Sequence, residues 1–247
     1  PSFSVSYVGF NTSMPPFDDT KFRQALNHAV NKELIATEVL SGLVEPAYGV
    51  LPPGFPGFNP NHQGLTYDPE LARRLLAESR YADAETRPRI VVTVPGTGGT
   101  IGLDLEVVIE MWKQELGVEV EIVQLEWATY LQDLNEIRFQ LFAGLGWSAD
   151  YPDPQNFLEI LFHGDSDENH FGYAVPEVDA LLDRAAVEAD PETRMSMYQQ
   201  IERRILDDWV AVPLWHSRAH VLVRPYVKGY ELTAIGIPIL QDVSIER

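Results

Sequence analysis

The sequence predicts an α/β fold: a mostly parallel core sheet with flanking helices and added antiparallel strands. Three observations carry that prediction. Residues 89–145 alternate strand and helix patterns as β-α-β-α-β, a series that joins parallel strands through right-handed crossovers. Hydrophobic residues are 45% of the 247, enough for a real core in one large domain or two small ones. Cysteine is absent, which excludes a disulfide scaffold, Cys-ligated zinc and thiol catalysis.

The elements follow in order. Tyr7 to Asn11 reads as a short strand. A helix over 19–40 places Phe22, Leu26, Ala29 and Val30 on one face, and Gly42 ends it. Residues 46–67 hold five prolines and four glycines, too punctuated for helix or sheet, and read as a long ordered loop. Asp68-Pro69-Glu70 opens the next helix. Asp at the N-cap accepts from orphan amides, and proline suits the first turn because its missing N–H has no partner there anyway. The same device recurs at Asp153-Pro154 and Asp190-Pro191.

Within the alternating stretch the expected strands are 89–94, 118–123 and 139–145, and the expected helices 103–116 and 128–135. Two amphipathic helices follow. One shares Val178, Leu181, Leu182 and Ala185 on a face, the other Met195, Tyr198, Ile201, Ile205 and Trp209. Residues 210–215 and 219–223 read as strands close to a hairpin. The chain shows no internal repeat and no interdomain linker, so 1–247 is expected to be one unit.

Lys and Arg number 18 against 37 Asp and Glu, a formal net charge of −19. Such a surface repels phosphate backbones, so nucleic acid is not an expected partner, and anionic membranes are disfavoured. No apolar run approaches the roughly 18 residues needed to span a bilayer. The chain starts Pro1-Ser2-Phe3 with neither Met nor a signal pattern, so any targeting segment is expected upstream.

The run Gly146-Trp147-Ser148-Ala149-Asp150-Tyr151-Pro152-Asp153-Pro154 gathers an acidic group and two aromatic rings where a strand hands over to a loop, a usual ligand position in open α/β sheets. Ser148 lacks the second glycine of a Gly-x-Ser-x-Gly nucleophile elbow, so no catalytic residue is expected, and a hydrolase using Ser148 or the carboxylates Asp150 and Asp153 is the rival reading. Pro95-Gly96-Thr97-Gly98-Gly99 lacks the Gly-Lys-Ser/Thr ending of a phosphate loop and reads as a strand-to-helix turn. His216 and His220 sit in a strand–turn–strand segment, not at helical zinc spacing. The acidic loop between His163 and His170 lacks calcium-loop spacing. No cofactor and no metal is therefore expected. Asp153 reads as a helix cap. Asp150 has two open roles: closing a turn around Pro152, or pointing into a cleft as a carboxylate awaiting a cation.

Several segments match a known family in order: Tyr7-Val8-Gly9-Phe10-Asn11-Thr12, Phe22-Arg23-Gln24-Ala25-Leu26-Asn27-His28-Ala29-Val30, Gly49-Val50-Leu51-Pro52-Pro53, Tyr67-Asp68-Pro69-Glu70-Leu71-Ala72, Trp112-Lys113-Gln114-Glu115-Leu116-Gly117-Val118, and 147–154. Through them the chain resembles the ABC-transporter extracellular solute-binding proteins of the peptide/nickel class, family 5. The likeness covers nearly the whole chain. It implies a periplasmic-binding-protein-like C-terminal lobe whose N-terminal partner lobe is absent. It implies a non-enzymatic, monomeric component that captures peptides, or another solute such as a nickel chelate or oligosaccharide, for a membrane permease. The location implied is extracytoplasmic, periplasmic or lipid-anchored. In peptide-binding relatives the ligand lies extended between two lobes. The resemblance then assigns ligand binding to Gly146 and Ser148 through main-chain pairing, to Asp150 through the peptide's α-ammonium, and to Trp147 and Tyr151 beside them. Arg138, His170 and Arg218 remain open candidates for a ligand carboxylate.

Overall fold

The computed structural model describes residues 2–61 and 66–246. The chain runs β1 (Ser4–Phe10), α1 (Thr20–His28), a single turn α2 (Lys32–Leu34) that continues as a π-helical turn (Ile35–Val39), and β2 (Val44–Pro46). Next come α3 (Pro69–Glu78), β3 (Ile90–Pro95), α4 (Leu103–Leu116), β4 (Val120–Leu125), α5 (Trp127–Asn135), β5 (Leu141–Phe142) and β6 (Gly146–Ser148). The chain continues through α6 (Gln155–Phe162), α7 (Pro176–Val187), α8 (Pro191–Asp207) and β7 (Ala211–Ser217). Two small ribbons end it: β8 (Val227–Lys228) with β11 (Ser244–Ile245), and β9 (Glu231–Leu232) with β10 (Pro238–Ile239).

The main sheet has the order β2-β7-β1-β5-β3-β4, with β6 also paired to β1. The β-α-β-α-β unit supplies the parallel part, β5-β3-β4, with Ile90 opposite Val120 and Val92 opposite Leu141. The strands β1, β6, β7 and β2 are added antiparallel. Helices cover both faces. Alternation along β1 sends Val5 and Tyr7 into a core shared with α5, α6, α7 and α8, and Val8 and Phe10 into one shared with α1, α3 and α4. Trp112 is fully buried in the second core, and its indole N–H donates to Leu26 O at 2.8 Å.

The caps follow the sequence. Asp68 accepts from Leu71 N–H and Asp190 from Thr193 N–H, each ahead of a proline. At 153–154 the device is displaced: α6 starts at Gln155, and Asp153 accepts from Gln155 N–H.

Three expectations change. The helix expected over 19–40 breaks after His28, because the Asn31 side chain accepts from Leu34 N–H and starts a new turn. Gly42, at φ +71°, does close the segment. The strand expected over 139–145 splits into β5 and β6, because Gly144 takes φ +81° between them. No hairpin forms over 210–223: the edge of β7 beyond Trp215 is occupied by β2, which leaves Val221, Leu222 and Val223 exposed and irregular. Of the loop expected over 46–67, residues 62–65 lie outside the described residues.

Candidate functional site

The site lies where β1 changes partner. It pairs β5 at Gly9 and Phe10, then β6 at Ser4 to Ser6. Residues 143–145 therefore stand opposite only Tyr7 and Val8, and the extra residue bows the chain outward. Gly144 makes that bow possible, since a Cβ there would come within 3.0 Å of Pro95 Cδ.

Two adjoining hollows result. The smaller, about 220 Å³, is lined by Tyr7, Val94, Pro95, Ile101, Leu105 and Leu214 among others. The larger is an open groove of about 440 Å³ over β6, β1 and β7, lined by Ser4, Gly146, Trp147, Ser148 and Trp215 among others. Ser6, Asp104 and Gly144 line both. The place is the C-terminal end of β3 and β5, where parallel strands leave room for ligands.

Strand β6 has one paired edge and one open one. It pairs only with β1 among the described residues, and Ala149 N–H continues that pairing to Phe3 O at 2.8 Å. Main-chain groups alternate sides along an antiparallel strand, so those of Gly146 and Ser148 face the open edge. Gly146 also needs its missing side chain, because a Cβ would meet Val5 O at 2.5 Å.

Beyond Ser148 a single buried amide organises the turn. Asn156, in the first turn of α6, is fully buried. Its Oδ1 accepts from Trp147 Nε1 (3.3 Å) and from Asp150 N–H (3.0 Å), and its Nδ2 donates to Asp150 Oδ2 (3.2 Å). The Asp150 carboxylate is thus fixed by a neutral donor, stays exposed, and pairs with no cation among the described residues. Asp153 is held otherwise. Arg194 grips it with two nitrogens, at 2.6 and 2.8 Å. Burial pushes its pKa up, but the hydrogen bonds from Arg194 and Gln155 N–H outweigh that and hold it below the usual value.

Of the residues assigned from the sequence, Gly146, Trp147 and Ser148 line the groove, while Asp150 and half-exposed Tyr151 stand beyond it; the Tyr151 hydroxyl donates to the Gln155 side chain. The three basic candidates line neither hollow. Arg138 pairs with Asp133 and Glu136, His170 is buried against Asn135, and Arg218 binds Glu45. Ser148 sits opposite Ser4 inside a strand pair, not on a strand-to-helix elbow. The 95–99 turn is pinned by Gln124, which accepts from Gly98 N–H and donates to Gly99 O. Among the described residues no group of three or more His, Asp or Glu is placed to hold a metal.

The sequence reading missed Asp104, Trp215 and Asn156. Asp104 is a first-turn acid of α4, and the available signal was its place after the exit from a parallel strand.

Residues 1–169 match the family model described as bacterial extracellular solute-binding proteins, family 5 Middle. The chain belongs to that family. It is 34% identical to heme-binding protein A of Haemophilus influenzae, over 98% of this chain and 45% of that protein. It is 31% identical to the dipeptide-binding protein of Escherichia coli, over all of this chain and 46% of that protein. Its fold superposes on HbpA2 from Haemophilus parasuis with a TM-score of 0.84 at 26% identity, over all of this chain and 49% of that one. The chain thus spans a little under half the length of the curated relatives it matches. The neighbours are solute-binding proteins, with the same α/β architecture.

Proposed function

We propose that residues 1–247 are one ligand-binding lobe of an extracytoplasmic solute-binding protein. A second lobe closes over the groove, and the captured ligand, a peptide, passes to an ABC permease. The lobe performs no chemistry on its ligand. The observation that carries this reading is the open edge of β6 beside an uncompensated carboxylate. The main-chain groups of Gly146 and Ser148 offer a ligand backbone the pairing that β1 gives the opposite edge. That pairing accepts any sequence of side chains. Asp150, two residues on, then sets register by taking an α-ammonium through a charge-assisted hydrogen bond. Trp147 and Tyr151 flank the ligand. The named ligand of the Escherichia coli dipeptide-binding relative favours the same class. In life the protein works as a monomer outside the cytoplasm, periplasmic or lipid-anchored. No helix among the described residues is long and apolar enough to cross a membrane.

Native mass spectrometry of the full-length protein, purified without added ligand, tests the class. Bound masses that fragment as peptides are expected. A bound tetrapyrrole, metal chelate or oligosaccharide in their place overturns the peptide reading, and turnover of a peptide or ester panel overturns the non-enzymatic one.

A further inference from the structure

We infer that the smaller hollow, beside the start of α4, is a subsite for a positively charged side chain of the ligand, with Asp104 as its counter-charge. The inference rests on the peptide reading and adds a substrate class to it.

At about 220 Å³ the hollow is smaller than the roughly 300–1,000 Å³ of a pocket for a whole ligand, and it has room for one side chain. Val8, Val94, Ile101, Leu105 and Leu214 give it apolar wall, and Ser6, Thr100 and Asp104 give it polar wall. A lysine or arginine stem packs well on such a surface while its charged head seeks a polar end. Asp104 supplies that end, since it lines both the hollow and the groove.

The carboxylate is positioned yet uncompensated. Trp215 Nε1 donates to Asp104 Oδ2 at 3.3 Å, across the groove wall. Its other oxygen lies over Gly102, where an added Cβ would come within 2.5 Å of it and push the carboxylate aside. Among the described residues no Lys, Arg or His lines either hollow. A first-turn acid also opposes a helix dipole, but Glu106 does that on the same turn without facing the cavity. The net charge of −19 draws cationic ligands toward the whole surface.

Calorimetry on the full-length protein tests this with trialanine and with tripeptides carrying a single Lys or Glu at each position. A charge-assisted hydrogen bond is worth roughly ten- to a hundredfold in affinity. At one position Lys is expected to bind at least tenfold tighter than Ala, and Glu more weakly. In Asp104→Asn the Lys-to-Ala ratio at that position falls to within about threefold of one. In Asp104→Glu, which keeps the charge, the preference persists. Equal binding of Lys and Ala peptides overturns the subsite alone, as does a Lys preference that survives in Asp104→Asn. Failure of the wild type to bind any of the peptides overturns the peptide reading and the subsite with it.

Discussion

Asp153 and Asp150 lie on the same turn, three residues apart, and the protein holds them in opposite ways. Asp153 is clamped by Arg194, whose guanidinium also donates to Ala185 O at the end of α7 and lies over the Tyr198 ring. One carboxylate thus ties α6, α7 and α8 together. Asp150 receives only an amide hydrogen from Asn156 and keeps its charge toward solvent. Asp104 is held in the same manner, by an indole N–H. The acid that ties the helices together is neutralised by a cation, whereas Asp150 and Asp104 are restrained by neutral donors. A carboxylate restrained without being neutralised suits the capture of a cation, because the ligand need not displace a resident partner.

The first way to break the comparison is to remove the clamp. Arg194→Leu leaves Asp153 half-buried without its cation, held only by the Gln155 N–H among the described residues. It is expected to cost about 2–3 kcal/mol, between the limits for surface and buried pairs, and roughly 5–10 °C in Tm. The pH dependence fixes the cause. Asp153 has a folded-state pKa below its unfolded value of 3.8, so its contribution is complete above that pH and is lost as pH falls through the folded value. Wild type and variant should therefore converge in stability in acid. A constant gap from pH 7 to pH 2, read by thermal melts, would show that the guanidinium acts through packing alone.

Asn156→Ala tests the other arrangement. It orphans Trp147 Nε1 and the Asp150 N–H at once and should cost about 1–3 kcal/mol. Peptide affinity should fall with it, because Asp150 loses the restraint that aims it. An unchanged affinity beside reduced stability would separate the amide from the site.

Lys32 sharpens the rule by breaking it. It is 1% exposed, its Nζ has no hydrogen-bond partner among the described residues, and it lies over the Tyr48 ring, 5.7 Å from the ring centre. Burial pulls its pKa down to about 7. Between pH 7 and its ordinary 10.5 the unfolded chain then binds more protons than the folded one, so stability rises with pH over that window. Lys32→Met should stabilise the protein at pH 7 by on the order of 1–2 kcal/mol and abolish the alkaline gain. Destabilisation at pH 7 would reveal a partner for the ammonium.

The sequence made one half of this architecture legible. The β-α-β-α-β unit was readable because each of its strands and helices carries its own period, and the Asp-Pro caps because their chemistry is local. The split of β5 from β6 was not. It depends on β1, more than 130 residues away in the chain, offering two separate pairing stretches, and on Gly144 packing against Pro95. The strand expected at 219–223 failed for the same reason, since composition cannot show that β2 already occupies the edge. Gly146, Trp147, Ser148 and Asp150 could be singled out because they are contiguous and motif-like. Asp104 and Asn156 act only through partners that folding brings to them.

The central claim is that Asp150 anchors a ligand ammonium, and a cycle of protein and peptide changes tests it most directly. Affinities of a free tripeptide and its N-acetylated form are measured on full-length wild type and Asp150→Asn. Closed within two lobes, losing one partner of such a pair costs about 3–5 kcal/mol, on the order of a hundredfold to a few thousandfold in Kd. The account predicts that large loss for the free peptide in Asp150→Asn, a similar loss for the acetylated peptide in wild type, and little further loss when both changes are combined. Additive losses, or equal effects of the mutation on free and acetylated peptides, would contradict it.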